Sequence, residues 1–152
     1  MKPLLDAALA RGVIIATAES CTGGMVAAAI TDTAGSSAVF DRGFVTYTNA
    51  AKMALLDVTE ATLDHFGAVS EQTAREMAAG AIAHSNAQIA VSITGIAGPG
   101  GSEHKPEGRV CFGLAIGQKI TTGTCDFGAL GRDKVRLAAR DHALSLLLRA
   151  VS

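Results

Sequence analysis

Aromatic residues are scarce in this sequence: they make up 4%, with five Phe, one Tyr and no Trp. That is too few for a platform on which nucleic-acid bases stack. Charge of one sign is missing as well. Thirteen Lys and Arg stand against 14 Asp and Glu, for a formal net charge of -1, whereas binding to a phosphate backbone or an anionic membrane calls for a basic excess. Cysteine is rare and odd in number, at Cys21, Cys111 and Cys125. This excludes a regular disulfide framework, and no CxxC pair suggests zinc. The histidines, His65, His84, His104 and His142, lack zinc-ligand spacing, so no metal site is expected. No apolar run approaches the ~18 residues of a membrane span. Met1-Lys2-Pro3-Leu4-Leu5-Asp6 lacks the apolar core of a signal peptide. A soluble, cytoplasmic protein is expected, with no nucleic-acid or membrane partner.

What is present is a compact composition of 152 residues, 49% hydrophobic and 18% charged, enough for one domain over 1–152 with a real core. Leu4–Arg11 reads as a helix stopped by Gly12 and Val13–Thr17 as a buried strand. Thr22–Thr31 reads as a helix rich in small residues, and Val39–Thr48 as a second strand. Asn49 is expected to cap a helix over Ala50–Leu56, with a further helical turn at Ala61–Phe66. Ser70 and Glu71 start a helix in which Ala74, Met77, Ala78, Ala81 and Ile82 recur at helical spacing. Gln88–Thr94 is a strand and Gly95–Gly108 a long loop. Arg109–Gly117 and Lys119–Phe127 form a hairpin. The last helix, Asp133–Val151, is expected to bury Val135, Ala138, Ala139, Ala143, Leu146 and Leu147. The order α-β-α-β-α-α-β-β-β-α predicts an α/β fold: a three-layer α/β/α sandwich on a mixed sheet, parallel strands first and then an antiparallel hairpin.

Strand–helix–strand connections of this kind place the carboxyl ends of parallel strands on one edge, where open α/β sheets bind ligands. Ser20 follows the first strand, in the stretch TAESCTGG at Thr17–Gly24. Tyr47 and Lys52 follow the second strand, and Thr94-Gly95 ends the third. Ser20 is a hydroxyl nucleophile in need of a base. No GxSxG elbow surrounds it and no histidine motif pairs with it. Lys52, in the apolar run Ala50–Leu55, serves as that base if loss of water lowers its pKa. Tyr47 could bond Ser20 or relay its proton. The N–H groups of Cys21, Thr22, Gly23 and Gly24, at the start of a helix, suit an oxyanion or a phosphate. Each residue has a plainer use: Ser20 as a helix cap, Lys52 as a solvated helix residue, Tyr47 as a core-edge residue, Thr94 as a strand residue, Cys21 as packing.

Gly95–Gly101 matches neither GxGxxG nor the P-loop; it suits a wide turn or the close approach of backbone to a ligand. Ser102–Pro106 could form a lid or an interface. Arg132 and Arg136 crowd the first turn of the last helix against its dipole, which an anionic ligand would explain, as would a solvated surface.

Four stretches, TAESCTGG, GSSAVFDRGFVTYTNAAK, FGAVSEQTAREMA and VSITGIAGPGGSEHKPEGRV, resemble in order the blocks of the CinA C-terminal domain family, and the resemblance runs from about Val13 to the last helix. It implies the three-layer fold and a nicotinamide-nucleotide amidase that converts nicotinamide mononucleotide (NMN) to nicotinate mononucleotide and ammonia without a cofactor. It implies Ser20 as nucleophile, Lys52 as base, Tyr47 as supporting relay, Thr94 as an active-site hydroxyl, and Arg132 or Arg136 on the phosphate. It also implies a homo-oligomer. Longer relatives carry a further N-terminal domain with a metal-dependent pyrophosphatase activity, which is not expected of this chain. Rival functions are a non-catalytic nucleotide-binding module, a cysteine amidase using Cys21, and a protein-interaction role in competence or DNA damage.

Overall fold

The computed structural model describes residues 1–102 and 104–152. Helix α1 (Lys2–Arg11) has proline in its first turn, where a missing N–H costs nothing, and ends at Gly12 with φ 63°. There follow β1 (Ile15–Glu19), α2 (Met25–Thr31), a 3-10 turn (Ser36–Ala38), β2 (Phe40–Val45), α3 (Asn49–Leu56), α4 (Glu60–Phe66), α5 (Glu71–Ala83), β3 (Ile89–Gly95), β4 (Arg109–Ile116), β5 (Lys119–Asp126) and α6 (Arg132–Val151). The expected order holds, and the helical turn expected at Ala61–Phe66 is a helix in its own right.

The five strands lie in the order β2-β1-β3-β4-β5. β1 runs parallel to β2 and β3, while β4 runs antiparallel to β3 and β5. This is the mixed sheet that the element order predicts. Side-chain alternation along the strands divides the core in two. Ile15, Val91 and Ile93 meet Leu4, Ile30, Val135 and Leu147 from α1, α2 and α6. Ala16, Ala18 and Ala90 meet Leu56, Leu63 and Met77 from α3, α4 and α5. The second face carries alanine where the first carries branched residues, so α5 packs close to the sheet. There Ser92 Oγ donates to the Ala74 carbonyl at 2.5 Å. At Gly80 of α5, an added Cβ would stand 2.0 Å from the Leu56 carbonyl oxygen. Glycine costs about 1 kcal/mol against alanine inside a helix, and here the close crossing of α3 requires it.

Several boundaries move for local reasons. β1 starts at Ile15 rather than Val13, because the Val13 amide closes α1 on the Ala8 carbonyl and the Ile14 amide bonds the Gln88 side chain. Thr48, not Asn49, caps α3, accepting from Ala51 N–H at 3.0 Å. Ser70 caps α5 as expected, accepting from Thr73 N–H at 3.1 Å. α6 buries Val135, Ala139, Ala143 and Leu147 fully, with Ala138 and Leu146 half-buried at its flanks. The lid or interface expected over Ser102–Pro106 includes Glu103, which lies outside the described residues. Among the described residues no helix is long and apolar enough to cross a membrane.

Candidate active site

Since β1, β2 and β3 are mutually parallel, their carboxyl ends share one edge. Ser20 leaves β1 there, and its amide donates to the Ile93 carbonyl of β3 at 2.9 Å. The chain then reverses sharply. Gly23 N–H donates back to the Ser20 carbonyl at 3.0 Å. Gly23 and Gly24 take φ 58° and 102°, values that favour glycine. This turn consumes Thr22–Gly24, so α2 begins at Met25 and not at Thr22.

The amides just beyond this turn, in the first turn of α2, are taken by the protein. The Glu19 carboxylate, 1% exposed, accepts from Val26 N–H at 2.8 Å and Ala27 N–H at 3.0 Å. The positive end of α2 is therefore occupied by the protein itself. Among the described residues, the amides of Thr22 and Gly24 meet no protein acceptor.

Lys52 is not a solvated helix residue: it is 1% exposed, and it reaches from α3 to the turn that carries Ser20. Its Nζ donates to Ser20 Oγ at 3.0 Å, to the Thr46 carbonyl at 3.1 Å and to the Tyr47 carbonyl at 3.3 Å. Ser20 is itself 6% exposed.

Tyr47 is placed differently from its expected relay position. β2 stops at Val45, and Thr46 is drawn inward by its amide bond to the Glu19 carbonyl. Alternation then turns the next side chain outward, 57% exposed. The Tyr47 hydroxyl accepts from Arg132 Nη2, and among the described residues no hydrogen bond joins it to Ser20. Thr94 is buried beside Ile93, but its hydroxyl donates to the Ala68 carbonyl at 2.7 Å, not to Ser20.

The two arginines separate by role. Arg136 donates from Nε to the Cys21 carbonyl at 3.0 Å and from Nη2 to the Thr22 carbonyl at 3.3 Å, clamping the turn. Arg132 lines a cleft of about 300 Å³ whose other walls are Cys21, Tyr47, Ala68, Val69 and the loop Gly95–Ser102. Across this cleft Arg132 Nη1 donates to the Gly98 carbonyl at 2.7 Å. Glu107 supports the glycine loop from behind, accepting from Gly100 N–H at 2.7 Å.

Burial pushes the Cys21 thiol up to about 12, against the opposing pull of its own backbone N–H and Arg136. A thiol so poorly ionised is a weak nucleophile. Among the described residues no group of three or more His, Cys, Asp or Glu is placed to hold a metal ion.

Residues 1–151 match the CinA C-terminal domain. The chain belongs to the CinA C-terminal domain family. Within that family it is 54% identical over 142 residues to the nicotinamide-nucleotide amidohydrolase PncC of Enterobacter agglomerans, covering 92% of this chain and 86% of that protein. It is 55% identical over 141 residues to PncC of Escherichia coli K12, covering 91% and 84%. The crystal structure of the competence/damage inducible protein CihA from Agrobacterium tumefaciens superposes with a TM-score of 0.89 at 47% identity, over 98% of this chain and 95% of that one.

Glu19 and Glu107 shape this site and were not legible as site residues. The one available signal was a carboxylate at a strand end directly before Ser20, seven positions before the helix amide it caps.

Proposed function

We propose that this chain hydrolyses the carboxamide of NMN to nicotinate mononucleotide and ammonia, with Ser20 as nucleophile and Lys52 as general base. The observation that carries the proposal is the 3.0 Å approach of Lys52 Nζ to Ser20 Oγ, both buried, beside the cleft that Arg132 lines. Support for the substrate comes from relatives more than half identical that bear the name nicotinamide-nucleotide amidohydrolase.

In the proposed reaction Lys52 is neutral when substrate is bound, a form that removal from water favours. Its two N–H bonds then serve the Thr46 and Tyr47 carbonyls, and its lone pair faces the Ser20 hydroxyl. Ser20 Oγ attacks the carboxamide carbon as its proton passes to Lys52. Main-chain N–H groups within Cys21–Gly24 receive the oxyanion, worth ~3–4 kcal/mol per donor in other hydrolases. Among the described residues, those of Thr22 and Gly24 have no protein acceptor to give up. The lysine proton goes to the departing nitrogen, the C–N bond breaks and ammonia leaves. Water, deprotonated by the same amine, then cleaves the acyl-serine ester. Arg132 exchanges the Gly98 carbonyl and the Tyr47 hydroxyl for the 5′-phosphate, where a guanidinium bonds in bidentate fashion. Tyr47 acts through its carbonyl on Lys52 and its hydroxyl on Arg132, and Thr94 by holding the Ala68 carbonyl at the cleft wall.

The deciding experiment is ammonia and nicotinate mononucleotide release from NMN by native protein, Ser20→Ala and Cys21→Ala. Release by native protein and Cys21→Ala, with loss in Ser20→Ala, supports the serine mechanism. Equal release by Ser20→Ala overturns it, and no release by native protein points to a binding module. The proposal includes a cytoplasmic setting, supported by three free cysteines. It also includes a homo-oligomer, supported by the open edges of β2 and β5 and checked by light scattering.

A further inference from the structure

We infer that Glu19 is a positioning residue for the Ser20–Lys52 pair, holding the nucleophile at its distance from the base; this rests on the amidase proposal for that pair. The geometry is a closed ring. The Glu19 carbonyl accepts from Thr46 N–H at 2.9 Å. The Thr46 carbonyl accepts from Lys52 Nζ at 3.1 Å, and Lys52 Nζ donates to Ser20 Oγ at 3.0 Å. The Glu19–Ser20 peptide bond closes the circuit. The Glu19 side chain then ties the ring to α2 through two amides at 2.8 and 3.0 Å, while the Ser20 amide ties it to β3.

Helix stability alone does not account for this arrangement. A cap is ordinarily a short polar side chain at the N-cap position itself, in contact with water. Here the N-cap is Gly24, which has no side chain to offer, and the cap comes from a strand end. The carboxylate is 1% exposed, and stripping it of water is costly for a cap on a helix of 7 residues. What this placement adds is a rigid lever: the residue that fixes α2 is covalently joined to the nucleophile and hydrogen-bonded to the segment that holds the base. Catalytic pairs tolerate little slack, and a displacement of about 1 Å costs about a hundredfold in rate.

The test compares native protein with Glu19→Gln and Glu19→Asp. Glutamine keeps the length but turns an NH2 toward one of the two amides. Aspartate keeps the charge but is a methylene short. Three quantities are read: kcat and KM for NMN, the rate at which a fluorophosphonate labels Ser20, and the folded fraction by circular dichroism. For folded Glu19→Gln we expect kcat about a hundredfold lower with KM within about threefold of native. The labelling rate falls with kcat, and Glu19→Asp lies between. A merely structural cap would lower the melting point and leave kcat and labelling alone. Folded variants whose kcat and labelling rate stay within about twofold of native overturn the inference, as does a rise in KM without a fall in kcat. Failure of both variants to fold also overturns it, assigning Glu19 to the fold instead. If native protein is labelled but does not turn over NMN, the amidase proposal falls while the labelling rates still decide Glu19. Native protein that is neither labelled nor active overturns both.

Discussion

Arg136 donates to the carbonyls of Cys21 and Thr22, whereas Arg132, one turn earlier on α6, donates to the Gly98 carbonyl and the Tyr47 hydroxyl. One guanidinium holds the turn after Ser20 and the other faces the cleft. Replacing Arg132 by alanine is therefore expected to raise KM for NMN by roughly 10- to 100-fold, the worth of a charge-assisted hydrogen bond. The same variant changes KM for the riboside, which lacks the phosphate, by less than about threefold. Steady-state kinetics on the two substrates check this.

Arg136→Ala removes the donors of two carbonyls at the heart of the turn. The expected outcome is a loss of about 1–3 kcal/mol of stability together with a fall in kcat, because the turn that carries Ser20 loosens. Urea unfolding and kcat measured on the same preparation test both halves.

Lys52→Met keeps the length and apolar stem of the lysine but removes its nitrogen. Ammonia release is expected to fall by about a thousandfold or more in kcat, and the Thr46 and Tyr47 carbonyls lose a donor. Retained circular dichroism with lost turnover identifies the base, and unchanged turnover removes Lys52 from the mechanism.

Cys21 lines the cleft, but with its thiol pushed up to about 12 by burial only roughly one part in ten thousand is thiolate at pH 8. Iodoacetamide at that pH is expected to leave most activity after an hour. Cys21→Ala is expected to keep more than about a tenth of native kcat. Rapid alkylation coupled to inactivation would reverse the assignment of nucleophile.

Stability is expected to fall in two stages as pH drops. Burial, with Arg149 adding to it, holds the His142 imidazole below its ordinary 6.5. Below about 6.5 the unfolded chain binds this proton before the native one does, so stability rises with pH in that window. The contribution is complete above it and lost beneath it. Hydrogen bonds from Thr122 and Thr124 hold Glu71 below its ordinary 4.5, and the same sign applies: its contribution is present above about 4.5 and lost as pH falls further. Asp41 and Asp126, held low by hydrogen bonds, add to the second stage. Melting temperatures from pH 8 to pH 4 display both stages, and His142→Phe is expected to remove the first.

Local chemistry shows on the page of residues where partners are near in sequence. The cap at Ser70, the stop at Gly12 and the alternation of Ile15 and Ala16 are all settled within a few positions, so the strand–helix order and the shared sheet edge could be read directly. Boundaries slipped where a distant group competes for an amide, as Gln88 does for Ile14. Among the candidate site residues, Ser20 and Lys52 were legible as groups that topology could unite, and the fold places them 3.0 Å apart.

The residues by themselves determined the mixed α/β/α architecture and the sheet edge where Ser20 meets Lys52, because hydrophobic period, caps and turns are short-range properties of the chain. Tertiary structure alone decided which polar groups remain available there. Arg136 meets its carbonyl 115 positions away, Arg132 reaches the Tyr47 hydroxyl across 85, and Thr94 spends its hydroxyl on Ala68. A donor bonded to one such partner must release it to serve another, and that competition is settled through space, not along the sequence.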